Sequence, residues 1–129
     1  MIRVLAGIFI ALHGLVHLWY VVLSQRLVEF QADMGWTGES WLLTRLLGDT
    51  GTRSVAAVVF GLAAVGFSAG GVGMLLRQGW SRPVLIASAA FSALMVTVFW
   101  DGRPGMIVQK GLVGLLIDGA ILMALLVLG

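Results

Sequence analysis

Two histidines four residues apart, His13 and His17, lie in an otherwise apolar stretch, GIFIALHGLVHLWYVVL (residues 7–23). On a helix of 3.6 residues per turn they share a face, one turn apart. An imidazole pair of this kind can exchange protons, because His titrates near neutrality, or hold a metal ion through its ring nitrogens. One carboxylate has a comparable setting, Asp118 in GLLIDGAILMALL. Together His13, His17 and Asp118 form a candidate site with three readings. The first is a structural lock, in which an Asp–His hydrogen bond fixes helix register. The second is a site for protons or a quinone headgroup, with Phe9, Trp19 and Tyr20 nearby. The third is a metal site with a His₂–carboxylate donor set, in a metal-binding or transporter-like oligomer. Haem fits poorly, since two histidines on one helix cannot supply opposed axial ligands to a single haem.

The elements that must position these residues follow from composition. The chain has 129 residues, 60% of them hydrophobic and only 11% charged, with a mean hydropathy of +1.04. A soluble domain carries about 25% charged residues, and a globule this short cannot hide so much apolar surface from water. An integral membrane protein is therefore expected. The absence of cysteine excludes disulfides, thiolate metal sites and redox dithiols. A formal charge of +2, scattered along the chain, gives no footprint for nucleic acid. The partner implied is the lipid bilayer.

A spanning helix needs about 20 apolar residues. Four runs qualify, at about residues 4–23, 54–76, 83–100 and 108–128, so one all-α membrane domain of four transmembrane helices over residues 1–129 is predicted. Runs of Leu, Ala, Val and Gly without strict alternation argue against barrel strands. The N-terminal run is too long for a signal-peptide core and lacks an A-x-A site, so it reads as a retained span. The segment RQGWSR forces the second and third spans into an antiparallel hairpin, and DGRPG reads as a turn. The loop 24–53 contains GESWLLTRLLGD, which predicts a short interfacial helix capped by Ser40 or Glu39 and stopped by Gly48, either on the membrane surface or as a lid. Trp36, Trp41, Trp80 and Trp100 are expected as interfacial anchors, with Trp19 and Tyr20 near a span end.

Gly66 and Gly70 form a G-x-x-x-G pair that predicts close approach of another helix, within the chain or in a homo-oligomer. The first and fourth spans run in opposite directions, yet His13 and Asp118 fall at matching depth. An Asp at mid-membrane costs at least ~2.5 kcal/mol, so the two are expected to face each other, with Gly14 and Gly119 beside them allowing close approach. Orientation is less constrained. Arg3, Arg77 and Arg82 lie on one side; Arg26, Arg45, Arg53, Arg103 and Lys110 lie on the other, together with Glu29, Asp33, Glu39 and Asp49. The expected arrangement has both termini cytoplasmic in a prokaryotic plasma membrane, although Lys and Arg counts alone favour the reverse. No nucleophile elbow, P-loop or dinucleotide fingerprint is present, so no catalytic residue is indicated.

Three stretches resemble DoxX-like membrane proteins. RVLAGIFIALHGLVHLWYV is similar to their first span, and GLAAVGFSAGGVGMLLRQGWSRPVLIASAAFSALM to their second hairpin. KGLVGLLIDGAILMALLVLG is similar to their closing span. The polar insertion carrying Trp36 and Trp41 has no counterpart in that pattern. The resemblance implies a four-helix bundle associated with quinone-linked or other membrane redox systems, as a module or subunit of a larger complex.

Overall fold

The computed structural model describes residues 1–25, 36, 39–100 and 112–127. Among them are four helices and no strand: α1 (Ile2–Ser24), α2 (Leu43–Leu75), α3 (Ser81–Val98) and α4 (Val113–Val127). The first three are long and apolar enough to cross a membrane. At 1.5 Å per residue α1 is about 34 Å long. With 15 described residues, α4 is shorter. The expected DGRPG turn and the start of the fourth span lie outside the described residues.

Neighbours in sequence pack side by side, α1 on α2, α2 on α3 and α3 on α4. The small residues of α1 and α2 allow this. A methyl group at Gly14 would stand 2.6 Å from Phe67 Cβ, and one at Gly71 would stand 2.7 Å from the Gly7 carbonyl. Gly66 abuts Ser88 and Gly70 abuts Leu85, so both glycines of the G-x-x-x-G pair face α3 within the chain. Gly119 differs from the expectation, because nothing among the described residues lies within 4 Å of the position its Cβ would take. The approach of α4 rests on side chains instead.

The C-terminal carbonyls of a helix have no partner within it, and here other elements supply several. The carbonyls of Thr97, Val98 and Phe99 at the end of α3 accept from Trp41 Nε1 (2.9 Å), Ser40 Oγ (2.5 Å) and Trp36 Nε1 (2.7 Å). At the end of α1, Arg53 Nη1 donates to the Leu23 carbonyl (3.0 Å), and at the end of α4 Arg82 Nη2 donates to that of Leu125 (2.7 Å). These ties place the end of α1 beside the start of α2, and the start of α3 beside the end of α4. Consecutive helices are therefore antiparallel.

The loop helix and the second span meet at a kink, and the short helix ends at Gly48 as expected. α2 begins at Leu43, with Ser40 Oγ accepting from the Leu43 amide (3.0 Å). Its break is at Gly48, whose φ of 76° and ψ of 177° are non-helical. The tryptophans also divide. Trp41 and Trp80 are half exposed, but Trp36 is 1% exposed and packs among Tyr20, Phe60 and Phe99. Its indole is needed inside, where it caps α3, and so it is not placed at a surface.

Candidate functional site

The buried face of α1 follows helical spacing through Gly7, Ile10, His13 and Gly14, then His17, Tyr20 and Ser24. Both histidines therefore point into the bundle, His13 at the midpoint of its helix. Phe67 of α2 supports them: its ring meets that of His13 edge-on at 4.9 Å and lies against that of His17 at 5.3 Å. Phe60 closes the far side of His17 at 6.4 Å, and Phe9 stacks on His13 at 6.4 Å.

The three residues singled out by sequence come together. His13 Nε2 lies 2.8 Å from Asp118 Oδ1. His17 Nδ1 donates to the His13 carbonyl at 3.1 Å, one turn back along α1. A fourth residue, Ser92 of α3, completes the cluster. Its Oγ is 2.6 Å from His17 Nε2 and donates to Asp118 Oδ2 at 2.6 Å. Asp118 and Ser92 are 0% exposed, His17 is 4% and His13 is 7%. Three helices thus contribute the polar groups, and α2 walls them with phenylalanine. In the sequence Ser92 reads as one small residue among Ala87, Ser88 and Ala90. Nothing in its local pattern distinguishes it; only its depth, level with His17, was available as a signal.

His13 Nε2, both nitrogens of His17, Ser92 Oγ and both Asp118 oxygens each have a partner in the cluster. The ligating atoms of His13, His17 and Asp118 lie within 4.8 Å of one another. That set is chemically suited to a divalent metal, but an ion bound there would have to replace the His13–Asp118 and His17–Ser92 hydrogen bonds. Beside the cluster, a groove of about 320 Å³ runs between α1 and α4. Phe9, Ile10, Ile117 and Ile121 line it, and its walls are almost wholly apolar.

Comparison with models of known families, with curated proteins and with solved structures finds no match to this chain. The site is accordingly defined by its own geometry: a closed hydrogen-bonded set of two imidazoles, a carboxylate and a hydroxyl inside an apolar helical bundle.

Proposed function

We propose that this chain is a small integral membrane protein of four spans, and that His13, His17, Ser92 and Asp118 form a proton-exchanging site within the bilayer. Support for the membrane setting comes from large apolar side chains on the outside of a bundle that packs several polar groups within. The interior holds His13, His17, Thr52, Ser88, Ser92 and Asp118, whereas Leu5, Leu12, Val16, Val58, Leu62, Val65, Leu94 and Leu116 are exposed. In water such a surface would exceed the apolar patches that monomers tolerate. In lipid it is the favourable arrangement.

The observation that carries the functional reading is the carboxylate hydrogen-bonded at once to an imidazole and to a hydroxyl that itself meets a second imidazole. Locking helix register would take far less, because an Asn or Ser pair avoids the cost of an ionisable group at mid-membrane. Groups with this chemistry and connectivity suit proton transfer, in which a carboxylate orients an imidazole that can hold a proton on either ring nitrogen. The protein is then a proton-handling module of a membrane assembly. A redox partner is the further expectation, supported by the resemblance of three stretches to DoxX-like proteins.

The test is proton binding by the purified protein in lipid vesicles, followed with an indicator dye across the neutral range. Wild type should bind about one proton per chain more than Asp118→Asn, with the fold of the variant verified by circular dichroism. Equal uptake by the two proteins would reduce the cluster to a lock. The groove along α1 and α4 favours a second occupant, an apolar molecule such as a quinone with its tail against Ile117 and Ile121. Native mass spectrometry after gentle extraction from the membrane would reveal it as added mass.

A further inference from the structure

Four hydrogen bonds connect the cluster: His13 Nε2 to Asp118 Oδ1, Ser92 Oγ to Asp118 Oδ2, His17 Nε2 to Ser92 Oγ, and His17 Nδ1 to the His13 carbonyl. Each needs its own proton. A carboxylate, two neutral imidazoles and a hydroxyl supply only three. The His13 carbonyl only accepts, so the proton of a neutral His17 is committed to Nδ1. His17 Nε2 then has nothing to donate. Ser92, with a single hydrogen, cannot donate to Asp118 and to His17 together. The complete network therefore contains one additional proton and has no net charge, which is also the state that a low-dielectric interior favours.

That proton has two positions that leave all four bonds intact. In one, His17 is an imidazolium donating to Ser92, and Ser92 donates to an ionised Asp118. In the other, Asp118 is a carboxylic acid donating to Ser92, and Ser92 donates to a neutral His17. We infer that Ser92 is the bridge of a proton relay between His17 and Asp118. In the forward step the Nε2–H bond of His17 breaks as an O–H bond forms at Ser92 Oγ. The original Ser92 O–H bond breaks as one forms at Asp118 Oδ2. The products are a neutral imidazole, a serine whose hydroxyl now points the other way, and a neutral acid. No electron moves and no co-reactant is required. Both transfers span 2.6 Å, short even for O–H···O contacts.

The surroundings leave this exchange undisturbed. α2 faces the cluster with Phe60 and Phe67; α3 brings Ser92, α4 brings Asp118, and α1 brings the two histidines, with Tyr20 one turn further on against Phe60 and Trp36. His13 anchors the carboxylate through Oδ1 and leaves Oδ2 to the relay. The relay rests on the proton-site reading above and adds a route and a residue to it.

The experiment is nitrogen-15 NMR of histidine-labelled full-length protein in lipid bilayers, with infrared spectroscopy of the Asp118 carboxyl. Wild type should show His17 Nε2 averaged between protonated and bare forms while Nδ1 stays protonated. A protonated-acid band should rise and fall with it, sensitive to deuterium. Ser92→Ala should slow this exchange by roughly 10²-fold, the lower range for a positioned proton-transfer group, and Ser92→Thr should restore it. A His17 Nε2 fixed in one form in wild type, or exchange that Ser92→Ala leaves at the wild-type rate, would overturn the relay. The wild-type spectra decide the matter even where a variant does not fold. Failure of the underlying reading looks different: the Asp118→Asn dye titration would match wild type.

Discussion

His13 and Asp118 are 105 residues apart in the chain and 2.8 Å apart in the fold. Their hydrogen bond crosses from α1 to α4 beside the groove that separates the two helices. This contact ties α4 to α1 across the seam between them.

Removing Asp118 should therefore open that seam. Asp118→Ala leaves His13 Nε2 and Ser92 Oγ without their acceptor, and each buried donor left open costs about 1–3 kcal/mol. Asp118→Asn keeps an acceptor and a similar volume, so a loss of about 1 kcal/mol, a single hydrogen bond, is expected. Thermal unfolding in one lipid or detergent condition gives the order. A double-mutant cycle of His13→Ala with Asp118→Ala should show coupling of at least ~0.5 kcal/mol. Strict additivity would mean the pair contributes nothing to the seam.

Glycines that look alike in the sequence should behave differently. At Gly14 a methyl group would meet Phe67 Cβ at 2.6 Å and the Ser68 amide nitrogen at 3.0 Å. Gly14→Ala must push α1 off α2, and overpacking of this kind costs about 1–3 kcal/mol. Gly119→Ala meets nothing within 4 Å among the described residues and gains helix propensity, so it should be neutral or stabilising by up to about 1 kcal/mol. Melting temperatures of the two variants, measured side by side, check the contrast. Gly66→Leu belongs with Gly14: it strikes Ser88 of the same chain, and it should yield misfolded monomer, without first dissociating a complex.

What was legible in the sequence divides by mechanism. The apolar runs and the matched depth of His13 and Asp118 were readable because burying an ionisable group is costly and leaves few arrangements. Ser92 was not, since a serine in an apolar helix satisfies itself locally as readily as it bonds elsewhere. Its role exists only once α3 sets it between His17 and Asp118. Trp36 misleads in the opposite sense. Its type and its polar neighbours match an interfacial anchor, yet the open carbonyl of Phe99 and the rings of Tyr20 and Phe60 draw it inside. Long-range partners of that kind leave no periodic trace.

Trp36 accordingly gives a third prediction. Trp36→Ala should destabilise by about 3–5 kcal/mol, the usual cost of a large aromatic in a core. Trp36→Phe retains the ring packing against Phe60 and Phe99 but removes the donor to the Phe99 carbonyl. The loss should then be about 1–3 kcal/mol, the cost of a buried acceptor left open. Thermal unfolding measures both. A Trp36→Phe variant as stable as wild type would show that the carbonyls ending α3 need no cap from this segment.

Gly48 tests whether the bend in α2 is required for that cap. Its φ of 76° with ψ of 177° is a conformation essentially confined to glycine. Among the described residues no atom lies within 4 Å of where a Cβ would stand, so the effect expected of Gly48→Ala comes from the backbone. The strain is about 1–3 kcal/mol, and the chain can relieve it by straightening α2. Straightening would carry Leu43–Leu47 away and withdraw Ser40 and Trp41 from the end of α3, where they bond to Val98 and Thr97. Gly48→Ala should therefore lower the melting temperature and shift tryptophan emission as Trp41 loses its partner, while the histidine NMR signals of the distant cluster stay in place. If emission and stability both match wild type, the bend does not hold the cap. A change in the histidine signals would instead show that the cap and the cluster are coupled through α3.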